Sequence, residues 1–201
     1  MLVNYHIATK PVIDIPRQSY DYVLAGNGVF LRAIRAGIDV LMQIASCEVR
    51  GLPQLDAHFY WDYPKIPIGL TTQMLQECER IGAIEVLFYL LYDASTGWQL
   101  VCPEQEQSVI HCRPLHDDSD SAYAKAIVHV HSHHKMAAQF SEADDQEDQG
   151  FRIYGIIGNL GQQATLIVRV GVFGYFWNLP ATLIFELPHS LSCGMSNAET
   201  Q

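Results

Sequence analysis

Apolar and polar residues alternate through much of the first third of the chain. In SYDYVLAGNGVFLRAIRAGIDVLMQIASCEV, aromatic and β-branched residues flank the Gly26–Gly28 turn, a pattern that predicts strands joined by a hairpin. Phe30, Ala33 and Ile34 also fit one face of a helix, so periodicity leaves that alternative open there. Residues 1–62 are read as a strand-rich N-terminal region. The turn-rich stretch RGLPQLDAHFYWDYPKIP then marks a boundary.

Beyond the boundary the period changes. Leu70, Met74, Leu75 and Cys78 recur at helical spacing, which predicts a helix over Leu70–Ile81, capped by Thr71 or Thr72 and ended by Gly82. Ala83–Asp93 is a near-continuous apolar run, the mark of a buried strand, with Glu85 as an anomaly near its start. ASTG turns the chain, and WQLVCPEQEQSVIHCRPL suggests another strand or two. Asp117–Ala126 reads as a short polar loop or helix, and AIVHVHSHH as a strand. Ser141 stands three residues before Asp144 at the head of SEADDQEDQ, the spacing of a capping box. FRIYGIIGNL and QQATLIVRVGVFGYFW predict a hairpin around Gly158–Gly161. A polar tail occupies 188–201. No internal repeat appears, and the whole predicts an α+β fold in which helices flank a mixed sheet.

Composition narrows the function classes. The 201 residues carry 12 Lys and Arg against 22 Asp and Glu, a net charge of −10 with no basic cluster, so a nucleic-acid partner is not expected. The five cysteines, Cys47, Cys78, Cys102, Cys112 and Cys193, include no CxxC pair. An odd number without such pairs argues against a disulfide framework or a Cys-based zinc ribbon. The N-terminal apolar run is too short for a signal peptide, and no run reaches the length of a membrane span. A cytoplasmic protein with no membrane partner is expected.

Four histidines fall between His129 and His134. Alternation along a strand puts His129, His131 and His133 on one face and His134 on the other. Imidazole suits zinc, and a catalytic zinc site takes three protein ligands with one position open to water. His129 and Asp144 compete for the third place. Strand neighbours two apart lie ~6–7 Å apart at Cα, so three in a row converge poorly on one ion. Asp144 is preferred, since the first turn of a helix favours an ionised carboxylate and can be aimed back at a strand end.

His131–Ser132–His133, followed in register by Ser141 and Asp144, resembles the zinc motif of the JAMM/MPN+ metallopeptidases. There His-x-His is followed by Pro, six residues, Ser, two residues and Asp. IEVLFYLLYD supplies, as Glu85, the acidic residue that the family places upstream at the start of an apolar strand. The resemblance covers residues 63–187. It departs from the pattern at His134, which replaces the Pro, and at Leu87 and Phe88, which replace a Gly after Glu-Val. The long insertions with which eukaryotic members grip ubiquitin chains are missing. Over its whole length the chain also resembles the protein A family of the bacterial PRTRC cassettes, whose gene sets include a ThiF-like activating enzyme and a small ubiquitin-like protein.

The resemblance implies a JAB/MPN-type mixed sheet, Zn2+ held by His131, His133 and Asp144, and zinc-assisted amide hydrolysis. Glu85 would move the proton from water to the leaving amine, and Ser141 would donate a hydrogen bond to the tetrahedral oxyanion. The implied substrate is the C-terminus of a ubiquitin-like protein or its conjugate. A ThiF-like enzyme is an implied partner, and a homodimer is compatible with the family. Two other functions fit the same residues: a non-catalytic scaffold of the cassette, and a metal-dependent hydrolase of small amides. Each residue also has a plain structural use. Ser141 and Asp144 suit a helix cap, Glu85 a strand edge, His129 a core position, His134 the surface, Asp145–Asp148 a solvated helix face, and the cysteines small buried hydrophobes.

Overall fold

A computed structural model describes residues 3–10, 19–116 and 122–194. The chain divides into two compact units, Met1–Tyr63 and Pro64–Ala198. Among the described residues, no helix is long and apolar enough to cross a membrane.

The first unit is a sheet of five strands in chain order: β1 (Val3–Ile7), β2 (Tyr20–Ala25), β3 (Gly28–Arg35), β4 (Ile38–Ser46) and β5 (His58–Trp61). β1 runs parallel to β2, and the other neighbours are antiparallel. Ala25 pairs with Gly28, so Gly26 and Asn27 form a two-residue turn. The Asn27 side chain holds that turn, donating to the Leu55 carbonyl at 2.9 Å and accepting from the Leu55 amide at 3.0 Å. Phe30, Ala33 and Ile34 all lie in β3, so the helical alternative is overruled by pairing on both sides. Phe30 shares a core with Val23, Ala25, Leu41 and Leu55.

The second unit opens with helix α1 (Ile68–Ile81), whose buried residues Thr71, Met74, Leu75 and Cys78 form one stripe. Its start differs from the expected Thr cap. Both threonine hydroxyls bond backwards, Thr71 to the Pro67 carbonyl and Thr72 to the Ile68 carbonyl. The Glu186 carboxylate accepts from the Ile68 amide instead, at 3.2 Å. Gly82 ends the helix at φ 82°, a left-handed value that glycine adopts without steric cost.

Next come β6 (Leu87–Asp93), β7 (Gly97–Val101), the short pair β8 (Gln105–Gln107) and β9 (Cys112–Pro114), helix α2 (Ala122–Lys125) and β10 (Val128–Ser132). Residues 117–121 of the expected polar loop lie outside the described residues. Helix α3 (Glu142–Glu147) leads into β11 (Phe151–Gly158), β12 (Ala164–Val172) and β13 (Tyr175–Leu179). The main sheet runs β13-β12-β11-β10-β6-β7. It is mixed, because β10 and β11 are parallel while β10 and β6 are antiparallel.

Three local expectations change. The run read as one strand through Trp177 folds back at Phe173 and Gly174, both at positive φ, to make β12 and β13. Leu191–Cys193, placed by composition in a polar tail, forms β14 parallel to β12, and 195–201 lie outside the described residues. Of the cysteines, Cys78 and Cys112 are buried, whereas Cys47, Cys102 and Cys193 are exposed.

Candidate metal centre

Strand phase sorts β10 into two faces. Val128, Val130 and Ser132 point into the core, where Val128 and Val130 are fully buried. Ser132 meets the Cys78 thiol of α1 and accepts from the Val86 amide at 3.1 Å. His129 and His131 point the other way, into a cleft of about 1000 Å³. The strand ends at Ser132, so His133 lies just past it. Its amide still bonds to the Ile157 carbonyl at 2.8 Å, while its own carbonyl accepts from Met136. The His133 ring stands beside His131, with ring centroids 4.9 Å apart.

Asp144 is supplied by α3. Ser141 is the N-cap, and the capping box with Asp144 is complete. The Ser141 amide and hydroxyl both donate to Asp144 Oδ2 at 2.6 Å, and the Asp144 amide donates back to Ser141 Oγ at 3.2 Å. Oδ1, the oxygen outside the cap, stands 3.0 Å from His131 Nε2. His131 Nε2 and His133 Nε2 are 3.1 Å apart, and His133 Nε2 is 3.8 Å from Oδ2.

These atoms form the metal-capable cluster found among the described residues. Donors bound tetrahedrally to one zinc at about 2.0–2.1 Å stand roughly 3.3 Å apart, so the observed separations fit a shared small cation. Two imidazoles and a carboxylate are borderline and hard donors, a set suited to zinc and its neighbours rather than to calcium. His131, His133 and Asp144 can therefore hold a metal.

Electrostatics distinguishes the members. Burial works against a charge on Asp144, but the two imidazoles and the Ser141 hydroxyl outweigh it and hold the carboxyl far below its usual range. Burial likewise works against a charged His131, and Asp144 reverses the balance and raises it. Glu85 lines the same cleft and is only 4% exposed. Burial raises its carboxyl, and the histidines only partly offset that. Its backbone is pinned on both sides: the amide donates to the Ser108 carbonyl at 2.9 Å, and Gln107 donates to its carbonyl at 2.7 Å. Cys112 also lines the cleft, but burial pushes its thiol well above the ordinary value. That rules against it as a thiolate nucleophile.

The remaining histidines are used differently. His129 accepts at Nε2 from Arg152 at 2.6 Å and packs among the rings of Tyr89, Tyr123 and Tyr154. A guanidinium only donates, so this nitrogen is occupied. His134, expected at the surface, is buried at 8% exposure and contacts the Val109 carbonyl. The turn after β10 breaks strand phase, and the alternation argument fails there.

A six-residue helix has little stability of its own, so α3 depends on tertiary anchors. Arg169 supplies most of them. It pairs with Asp145 and, at 2.7 Å, with Asp148, and its guanidinium lies between the Phe140 and Phe176 rings at 3.8 and 3.7 Å. Arg113 and Glu147 add a bond at 2.7 Å from the β9 side. Asp148 is thus a half-buried partner of Arg169, while Asp145 pairs with the same guanidinium and stays exposed with Gln146 and Glu147. Sequence reading missed Arg169. The signal was a charge inside the apolar run LIVRVGVF, the same kind of anomaly that singled out Glu85.

Residues 73–170 match the family described as prokaryotic homologs of the JAB domain. That span contains Glu85, His131, His133, Ser141 and Asp144. No curated protein matches the chain.

Proposed function

Because the chain carries a JAB/MPN-family domain, we propose that it is a zinc-dependent peptidase or isopeptidase acting on an amide bond at the C-terminus of a ubiquitin-like protein or its conjugate. The observation that carries this reading is the convergence of His131, His133 and Asp144 in one cleft with a buried, otherwise unexplained Glu85. Zinc held by those three side chains supplies Lewis acidity, which lowers the pKa of water towards ~7 and polarises a carbonyl.

The chain's own residues do the rest. Glu85 takes the proton of the attacking water and delivers it to the departing nitrogen. A carboxyl raised by burial is closer to neutral working pH than an exposed one and serves both transfers better. Ser141 stands at the cleft beside Asp144, where its hydroxyl turns from the cap to donate to the developing oxyanion. His129 and Arg152 keep the strand beside the ligands in one orientation. The cleft is large enough to take an extended peptide segment with its side chains.

The test is incubation of the purified chain with the ubiquitin-like protein of its own gene neighbourhood, carrying a C-terminal extension. The expected result is release of the extension, loss of activity with a chelator, recovery with zinc, and about one zinc per chain. Hydrolysis of short amide adducts with every ubiquitin-like fusion left intact would move the assignment to a small-amide hydrolase. A protein that takes up no zinc and cleaves nothing would be a scaffold.

A further inference from the structure

His134 occupies the place where the resembled motif has proline, and its backbone explains why proline is absent. Its φ is 36°, in the left-handed region, whereas proline is locked near −65°. The side chain is not idle. Nε2 lies 2.9 Å from the Val109 carbonyl, which can only accept, so Nε2 carries a proton. Nδ1 is buried with no hydrogen-bond partner. An imidazole buried at that cost, on a strained residue, points to a use for its one bond.

Val109 lies in the connection between β8 and β9, beside the two residues that hold Glu85. Ser108 accepts from the Glu85 amide, and Gln107 donates to the Glu85 carbonyl. Val109 and Ile110 are 53% and 78% exposed, so this connection has little core of its own. The His134 end is firm. Its carbonyl accepts from Leu160 at 2.7 Å, the Met136 carbonyl accepts from Asn159 at 2.7 Å, and the His133 amide is tied to β11. The backbone of residues 136–138 also lies so close to Gly158 that any side chain there would displace it. A rigid turn bearing a metal-capable histidine is therefore bonded to a weakly packed loop bearing the partners of Glu85.

We propose that His134 is a positioning residue, a strut that fixes Glu85 relative to the metal centre through the Val109 carbonyl. This rests on the hydrolytic reading of Glu85.

The test compares the zinc-loaded full chain with two variants. His134→Gln keeps a donor at the reach of Nε2, and His134→Leu keeps bulk without a donor. Both bear similar strain at positive φ. Expected for His134→Leu are unchanged zinc stoichiometry, a KM within about twofold and a kcat down about tenfold. His134→Gln should recover most of that loss. Amide exchange at Glu85 should quicken in His134→Leu alone, while exchange at Leu160, bonded to the His134 backbone, stays as it was. Equal kcat and equal Glu85 exchange in all three proteins would overturn the proposal. So would equal losses in both variants, with exchange accelerated throughout the unit, which is the result of a merely structural histidine. If the wild type cleaves no substrate, the hydrolytic reading fails, and the exchange comparison still decides whether the strut exists.

Discussion

Glu85 and Asp144 line one cleft, and both pay a desolvation cost for being there. Their outcomes are opposite. Glu85, held through its backbone, has its carboxyl raised by burial. Asp144, with two imidazoles at one side and a helix cap at the other, has its carboxyl strongly lowered. Burial sets the direction at Glu85, whereas at Asp144 the partners overturn it. The difference suits two tasks: a permanently ionised carboxylate holds a cation, and one poised towards neutrality exchanges a proton.

Exchanging the two environments' key atoms should break the contrast in a fixed order. Asp144→Ala removes one of the three side chains proposed to hold zinc and half of the capping box together. Zinc uptake should be lost outright, exceeding the about 10–100-fold typical of an outer-shell partner, and hydrolysis with it. Retained stoichiometric zinc, measured by metal analysis after dialysis, would remove Asp144 from the ligand set. Glu85→Gln should leave zinc content unchanged and lower kcat by about 10²–10⁴. A variant that cleaves at the wild-type rate would take proton transfer away from Glu85.

Ser141 lies between the two carboxylates in function, because its hydroxyl serves the cap and is assigned to the oxyanion. Ser141→Ala should cost about 1 kcal/mol of stability and about 10²–10³ in kcat. Ser141→Asn retains a good capping side chain, so stability should return. Full activity in the Ala variant, which has no donor, would leave Ser141 as a cap alone.

The smallest effect is the pH response of the metal-free pair. His131 is raised above 6.5, so its contribution to stability is complete below pH 6.5 and is lost as pH rises through the raised value. Asp144 is lowered below 3.8, so its contribution is present above pH 3.8 and is lost only as pH falls through the lowered value. The pair therefore stabilises the metal-free protein most in the mildly acidic range. Under the proposed function, zinc would displace the His131 proton, so its affinity should rise by up to about tenfold per pH unit until His131 is neutral. Competition against a chelator between about pH 6 and pH 8 measures this, and an affinity flat across that range would mean His131 binds no displaceable proton.

Much of this site was legible in the chain. Alternation in VHVHS, the capping spacing from Ser141 to Asp144, and a carboxylate ahead of an apolar strand are local patterns with local causes. What was misread depended on distant partners or on a break in phase. Thr71 and Thr72 looked like caps because Glu186, the residue that accepts from the start of α1, lies far along the chain. Asp148 looked solvated because Arg169 comes from β12. His134 looked exposed because strand alternation was carried one turn too far.

By itself, then, the sequence determined the α+β character, picked out Glu85, His131, His133, Ser141 and Asp144 as the candidate site, and marked a turn within Gly26–Gly28. Periodicity, turn chemistry and capping act over a few residues, and they can be read without knowing the fold. The tertiary structure decided which donor atoms converge, since α3, anchored by Arg169 from β12, brings Asp144 to the two histidines. It alone also set the two carboxylates apart, because a pKa depends on what stands beside the group in space and not on what precedes it in the chain.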